Sequence, residues 1–574
     1  MSSNTNINEK AALIWAIADK LTGYYKPHEY GEVILPMTVI RRFDCVLADT
    51  KNAVLAEYEK VKDKPTKNLF LTRAAKKDFY NISKFTFQTL TDDPDNIEAN
   101  FRDYINSFSE NVREIIDKFN FEPHISKMAV NNLLFSVIQE FKKSNLHPDI
   151  IDNRDMGYIF EEIIRRFSES YNEDAGQHYT PREVIRLMVN LVMCDDNALL
   201  SRDNVVRTIY DPACGTGGML SVAEEYLHKL NSSTQIIAFG QEVNEQTFAI
   251  CKADMLIKGN NADYIQLGST LSQDKFQSQT FHYILSNPPF GREWKNEKGS
   301  IDKEVKQGFA GRFGYGLPAS SDSQLLFLMT AIAKMKNVTE GGSRIAIIHN
   351  GSPLFTGDAG SGPSEIRRHI IESDLLEAII ALPNDIFYNT GIATYIWILS
   401  SKKAGTKREG KIQLINANGL YEKRRKSLGN KRNDIPDSAI TEITRLYGEF
   451  ITSDISKIFD NEDFGYTKII IERPLLDDNG RPILKNGRKQ PDPMRRDSEN
   501  VPLKEDIDEY FAREVLPFAP DSWIDRNKSK VGYEIPFTRY FYKYEAPKPS
   551  HEIMSEIMEL DRELAGGLEE LFKS

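Results

Sequence analysis

The 574-residue sequence predicts an α/β protein: a seven-stranded, doubly wound sheet, preceded by a helical region and followed by an extension ending in a helix. Three observations predict it. Between about 150 and 400, short apolar runs alternate with helical patterns. Before that, apolar residues fall at helical spacing with few glycines. After about 460, turn pairs dominate until a last amphipathic run. Continuous apolar strands separated by helices indicate a mostly parallel sheet covered on both faces. This length implies two or three domains, which we place at 1–150, 151–460 and 461–574.

In order along the chain, Ala11 to Leu21 is an amphipathic helix rather than a signal peptide: Glu9, Lys10, Asp19 and Lys20 interrupt or flank it, and no small-residue cleavage site follows. Helical patterns continue over Val33–Val46, Phe101–Phe119 and Met128–Phe141. Strand signals then fall at Ile209–Tyr210, Ile236–Phe239, Tyr264–Leu267, Phe281–Leu285, Arg344–Ile348, Leu376–Leu382 and Thr394–Leu399. Helices are predicted over Gly218–Leu230, Glu245–Lys258 and Ser323–Met335 between them. The pairs Asn479-Gly480 and Asn486-Gly487 bracket a hairpin or small insertion. The final helix, from about His551 to Lys573, carries Ile553, Ile557, Leu560, Leu564, Leu568 and Leu571 at spacings of three and four. Such a stripe packs on its own domain or on a partner helix.

No apolar run reaches the roughly 18 residues of a membrane span. Cys45, Cys194, Cys214 and Cys251 form no CxxC pair, so neither a zinc site nor a disulfide framework is expected, and the compartment reads as cytoplasmic. Net charge is -11 and the pI about 5.5. An autonomous nucleic-acid binder usually has a basic excess. An acidic chain acting on DNA therefore needs local cations or a partner. The densest local source is Lys402 to Arg432, with eleven Lys and Arg, a pattern that fits phosphate contacts and a solvated loop equally well.

Four motifs carry chemistry. The first, Asp211-Pro212-Ala213-Cys214-Gly215-Thr216-Gly217-Gly218, lies between a strand and a helix. Its glycines let the backbone turn tightly and approach a ligand, with helix-start amides free to meet a polar group. A phosphate loop would end Gly-Lys-Ser/Thr; here Gly217-Gly218-Met219 disfavours nucleotide hydrolysis. The second is Glu242, ending the next strand, where an acid can accept hydrogen bonds from ribose hydroxyls.

The third motif is Asn287-Pro288-Pro289-Phe290. Two prolines fix φ near -65° and remove two donors, leaving a stiff segment with outward carbonyls. An exocyclic amino group has two hydrogens: the Asn287 side-chain carbonyl can accept one and the Pro288 backbone carbonyl the other. Holding both draws the nitrogen out of conjugation and frees its lone pair, while Phe290 offers a face for a planar group. With a donor methyl already activated as a sulfonium, neither metal nor covalent intermediate is required. A bare turn explains an Asn-Pro pair equally well in isolation; the upstream glycine loop favours the chemical reading. The fourth is Gln177-His178-Tyr179-Thr180-Pro181-Arg182, with Thr180 read as the N-cap of a helix from Glu183 to Met193, close to a capping box.

In this order the motifs resemble the gamma group of adenine-N6 DNA methyltransferases, on a Rossmann-like fold. Together with the helical N-terminal region and the stretches His349–Phe355, Glu365–Pro383 and Asn389–Ser400, the chain looks like the modification subunit of a type I restriction-modification system. The resemblance implies S-adenosylmethionine as cofactor, held by Gln177, His178, Tyr179, Thr180, Pro181, Arg182, Asp211, Ala213, Gly215, Thr216, Gly217, Gly218 and Glu242. It implies a flipped adenine held by Asn287, Pro288, Pro289 and Phe290. It also implies as partners double-stranded DNA, a specificity subunit, a second copy of the chain and a restriction subunit. Relatives carry Gly-Asp-Thr-Leu where this chain has Gly268-Ser269-Thr270-Leu271; Ser269 keeps a hydroxyl but not the acid.

Asn-Pro-Pro-aromatic motifs also serve protein glutamine methyltransferases, whose amide target is likewise a planar NH2. The helix before the glycine loop and the long C-terminal part favour DNA. Two other readings are a silent assembly subunit, against which intact Asn287, Phe290 and Glu242 speak, and a cytosine-N4 target, against which Asn in place of Ser speaks.

Overall fold

The structure is a computed structural model describing residues 17–171, 180–388, 390–542 and 548–573. Gln177, His178 and Tyr179 lie outside the described residues. The chain divides into compact units at 1–535 and 536–574.

The first unit opens with helices. Tyr30–Leu47 (α1) is buried on most sides despite Pro36 inside it. Its Arg42, almost fully buried, donates to the carbonyls of Leu146 and Ile151 and to Asn153 Oδ1, which fixes the start of helix Asn153–Tyr171 (α2). Two predicted helices are each split. Phe101–Phe119 becomes Ile97–Asn106 and Glu110–Asp117, because Ser107 O accepts from Ile82 N and Ser109 N donates to Tyr80 O. Those backbone groups are no longer available to one continuous helix. Met128–Phe141 breaks at Asn131 and Asn132, the latter at φ +56°. Asparagine tolerates this left-handed conformation better than most residues.

The seven predicted strands form as β1 (Val206–Asp211), β2 (Gln235–Glu242), β3 (Ile265–Leu267), β4 (Tyr283–Ser286), β5 (Arg344–Asn350), β6 (Leu376–Ala381) and β7 (Thr394–Ser400). The sheet has nine strands rather than seven, because Lys411–Asn416 (β8) and Ser456–Asp460 (β11) extend its far edge. The order is β11-β8-β6-β7-β5-β4-β1-β2-β3. Strands β5, β4, β1, β2 and β3 run parallel, and β7 is antiparallel to both its neighbours. Strand order reverses between β1 and β4, the place where open α/β sheets bind ligands beyond the carboxyl ends of their strands.

Strands β4 to β7 are buried almost throughout, as helices on both faces require. Arg182–Met193 (α3), Gly218–Leu230 (α4), Glu245–Lys258 (α5) and Asp437–Glu449 share one core with one side of the sheet, and Gln324–Ala333 packs against β5 outside that core. One continuous apolar core runs from Ile17 through the helical region to Tyr447. At the amino ends of the strands Arg344 is paired with Glu377 and Asp195, both at 3.0 Å. This buried ion cluster lies away from the switch point.

Between β8 and β11, Glu422–Leu428 (β9) and Lys431–Asp434 (β10) form an antiparallel ribbon. After the sheet, Gly465–Glu472 (β12) centres a small antiparallel sheet with Asp497–Pro502, Trp523–Ile524 and Lys530–Tyr533. Asn486-Gly487, expected to bound a hairpin or small insertion, is itself the turn of one: Leu484–Lys485 (β13) pairs with Arg488–Lys489 (β14), with Asn486 and Gly487 both at positive φ, as a tight two-residue hairpin turn demands. The second unit holds helices Phe537–Phe541 and Ser550–Lys573. In the longer one Ile553, Ile557, Leu560 and Leu564 are 43–64% exposed. No helix among the described residues is long and apolar enough to cross a membrane.

Candidate active site

The glycine loop after β1 and Asn287 after β4 meet at the switch point, and Asp211 and Glu242 organise them. Asp211, 2% exposed, accepts hydrogen bonds through Oδ1 from Ala213 N and Ser286 Oγ, both 2.9 Å. It thereby ties the loop to the strand that delivers Asn287. Burial pushes its carboxyl up to about 7, against the opposing pull of those two donors. Glu242 accepts from Gly215 N through one oxygen and from Val243 N and Asn244 N through the other, each 2.8 Å. Burial raises its pKa too, while the three amides lower it. The carboxylate therefore shapes the loop, and its remaining lone pairs can still accept hydroxyl donors.

Gly215 and Gly217 take φ +53° and +84°. A Cβ at Gly217 would lie 2.7 Å from Cys251 Sγ, whereas one at Gly215 would meet nothing within 4 Å. The loop is thus pressed against α5 beneath and open above, where a ligand can approach. Thr270 Oγ1 donates to Pro212 O at 2.5 Å, which brings the Gly268–Leu271 segment against the same loop. In that segment the Ser269 hydroxyl donates to the Glu297 carboxylate. A carboxylate is therefore delivered to the position where Ser replaces Asp, but from a different stretch of chain.

The helix cap expected at Thr180 does not form. Helix α3 starts at Arg182 with Pro181 as its N-cap and no side-chain cap bond, which leaves Thr180 one position ahead of the cap. The Thr180 hydroxyl instead accepts a hydrogen bond from Asn287 Nδ2 at 2.9 Å. With its NH2 side turned to Thr180, the Asn287 amide is oriented, and Oδ1 is the acceptor edge. Phe290, partly buried, stands edge-on to Phe387 with ring centroids 6.4 Å apart.

Arg182 is directed inward. It pairs with Glu161 on α2 at 2.8 Å and lies over the Tyr158 ring, with Nε and Nη1 buried and without a hydrogen-bond partner among the described residues. Next to it a cavity of about 10 Å³ is lined by Glu161, Arg182, Thr216, Gly218, Ser221 and Asp254, room for about one water. Arg182 thus joins the helical region to the floor of the glycine loop. Three groups escaped the sequence reading: Glu161, Glu297 and Phe387. None of the three lies in a sequence motif, and nothing local marks them.

The eleven cations of Lys402–Arg432 separate into two sets. Lys402, Lys403, Lys411, Arg424 and Lys431 are ion-paired, and Arg408 is buried over Tyr447. Lys407 donates to the Gly448 carbonyl, and Lys423, Arg425, Lys426 and Arg432 remain exposed on the β9–β10 ribbon.

The fold is that of a Rossmann-like methyltransferase, and at its reversal point the glycine loop, Glu242 at the end of β2 and the Asn287–Phe290 segment come together. The chain belongs to the N-6 DNA methylase family, whose model matches residues 152–470, and a model of the HsdM N-terminal domain matches residues 10–141. It is similar to the type I restriction enzyme MjaIX methylase subunit of Methanocaldococcus jannaschii, 24% identical over 79% of each chain. To the MjaVII methylase subunit of that organism it is 30% identical, over 57% of this chain and 52% of the relative. Among solved structures, a type I restriction-modification methyltransferase subunit from Streptococcus thermophilus superposes with TM-score 0.63 at 21% identity. That match covers 80% of this chain and 97% of the other, and it shares the fold.

Proposed function

We propose that this chain is the modification subunit of a type I restriction-modification system, transferring a methyl group from S-adenosylmethionine to N6 of an adenine flipped out of double-stranded DNA. The observation that carries the reading is the Asn287–Thr180 hydrogen bond, which orients the amide beside the glycine loop. When bound, the cofactor supplies an electrophilic methyl group on its sulfonium. Gly215, Thr216, Gly217, Gly218 and Glu242 would hold it, with Asp211 and Ala213 bracing the loop. The open face above Gly215 and the rigid Glu242 carboxylate fit a nucleoside with ribose hydroxyls. Ser269 with Glu297 would accept from the cofactor's adenine, and Arg182 would complete the floor.

Asn287 Oδ1 and the Pro288 carbonyl would each accept one hydrogen of the target amine, with Pro289 keeping the turn stiff and Phe290 against the base. Extrusion is needed because N6 is stacked and paired in the duplex, at a cost of a few kcal/mol. An acidic chain of net charge -11 is suited to work with a specificity subunit that reads the sequence. We place it in a cytoplasmic complex of two copies with one specificity subunit, joined by a restriction subunit. The exposed apolar residues of Ser550–Lys573 suit a helix that contacts a partner.

Single-molecule methylome sequencing of a host expressing the chain with and without its specificity subunit tests this. Methylated adenines in a split motif are expected only with both. Asn287→Ala should abolish the signal while the complex still assembles; unchanged methylation in that variant would overturn the mechanism.

A further inference from the structure

We infer that the β9–β10 ribbon is a DNA-backbone grip for the strand presented to the active site; this rests on the methyltransferase reading above. Between Tyr421 and Arg432 lie six cations and one acid, in a chain of net charge -11. Two of the six hold the ribbon in place. Lys431, 1% exposed, donates to the Glu183 carboxylate and to the carbonyls of Ile386 and Asn433. Arg424 pairs with Asp434.

The other four, Lys423, Arg425, Lys426 and Arg432, are exposed, and no carboxylate among the described residues pairs with them. Exposed cations in a folded protein usually alternate with acids, and surface pairs form readily even where they add little stability. Here Asp434 and Glu183 are taken by the anchoring pair, Glu422 is the one acid left within the ribbon, and the four exposed cations outnumber it.

Its mounting decides what it can meet. Asn430 N donates to Tyr388 O at 2.8 Å, and Arg432 N and Asn433 N donate to Asp385 O at 2.8 and 3.1 Å. These carbonyls flank Phe387, the ring edge-on to Phe290. The anchor Glu183 lies in the first turn of the helix that follows Thr180. One rigid path therefore connects the ribbon to both ends of the Asn287–Phe290 clamp. A nucleotide entering that clamp brings its neighbouring phosphates with it. Phosphate contacts position a duplex without reading sequence, which is the task left to a catalytic chain whose partner chooses the site. The ligand chemistry is a polyanionic nucleic-acid backbone.

The test uses the full chain assembled with its specificity subunit. Lys423→Gln/Arg425→Gln/Lys426→Gln removes three exposed charges; Lys485→Gln/Arg488→Gln/Lys489→Gln removes three from the exposed β13–β14 hairpin as a charge-matched control. Duplex binding is measured against salt. Each lost phosphate contact lowers the slope of log affinity on log salt by about 0.9. The first variant should lose about two to three in slope, with KM for DNA raised at least about tenfold near physiological salt. Affinity for S-adenosylhomocysteine should be unchanged, and the control should behave as wild type. Equal slopes in all three proteins, or equal loss in both variants, would overturn the grip. Loss of co-purification with the specificity subunit at unchanged slope would assign the ribbon to a protein partner instead and overturn it too. If the wild-type complex binds cofactor yet methylates no duplex, the underlying reading itself fails.

Discussion

Replacing Thr180 by Val separates two roles for one residue. The family resemblance makes Thr180 a cofactor contact, whereas the structure makes it the hydrogen-bond acceptor for Asn287 Nδ2 at 2.9 Å. Valine matches threonine in shape but lacks the hydroxyl. The part-buried amide would lose its partner, which costs about 1–3 kcal/mol. If that orientation is needed only when the amine is held for transfer, the loss falls on the chemical step. At about 1.4 kcal/mol per tenfold, kcat should fall about 5- to 150-fold. Affinity for S-adenosylhomocysteine, measured by calorimetry, should change little, and Thr180→Ser should restore most of the rate. A variant with weakened cofactor binding and wild-type kcat would refute the orienting role and return Thr180 to the cofactor.

Other perturbations probe the supports of the site. Asp211 has a carboxyl pushed up to about 7, so between about pH 4 and 7 the folded chain holds a proton that the unfolded chain releases. Stability should fall as pH rises through that window, by up to about 4 kcal/mol if the whole shift is expressed. Asp211→Asn keeps an acceptor oxygen for Ala213 and Ser286 and should flatten the dependence of Tm on pH; an unchanged slope would exclude Asp211 as its source. Glu297→Gln should weaken S-adenosylhomocysteine binding about tenfold, roughly the worth of a charge-assisted hydrogen bond. Adding Ser269→Asp should recover it, and no loss by calorimetry would remove Glu297 from the site. Glu161→Ala strands the Arg182 guanidinium in the interior and should cost about 3–5 kcal/mol, seen as a lower Tm. Glu161→Leu/Arg182→Met should recover much of it; a double variant no better than the single would argue against a pairwise ion interaction.

Much of the fold was legible along the chain because it rests on local pattern. All seven expected strands are present, since apolar runs of strand length bounded by turns have few alternatives. Gly218–Leu230 and Glu245–Lys258 form with the expected bounds. The turn at Asn486-Gly487 was legible from residue types that tolerate positive φ. Less legible were features settled by distant neighbours. The helix over Phe101–Phe119 breaks because Tyr80 and Ile82 capture its backbone. The two additional strands β8 and β11 lie in and beyond the cationic run, whose charge hid a buried strand such as Lys411–Asn416.

The same division holds for the site. The chemistry proposed for it was legible in sequence alone: Asn287 to Phe290, the glycine loop and Glu242 suggest it by residue type and order. Only the tertiary structure decided how those groups are held. Thr180 and Asn287 lie 107 positions apart, Ser269 and Glu297 28, and Arg182 and Glu161 21. Hydrogen bonds of this kind leave no periodicity behind. They exist because the parallel sheet brings the carboxyl ends of β1, β2 and β4 to one edge, where a side chain finds its partner by position rather than by proximity in sequence.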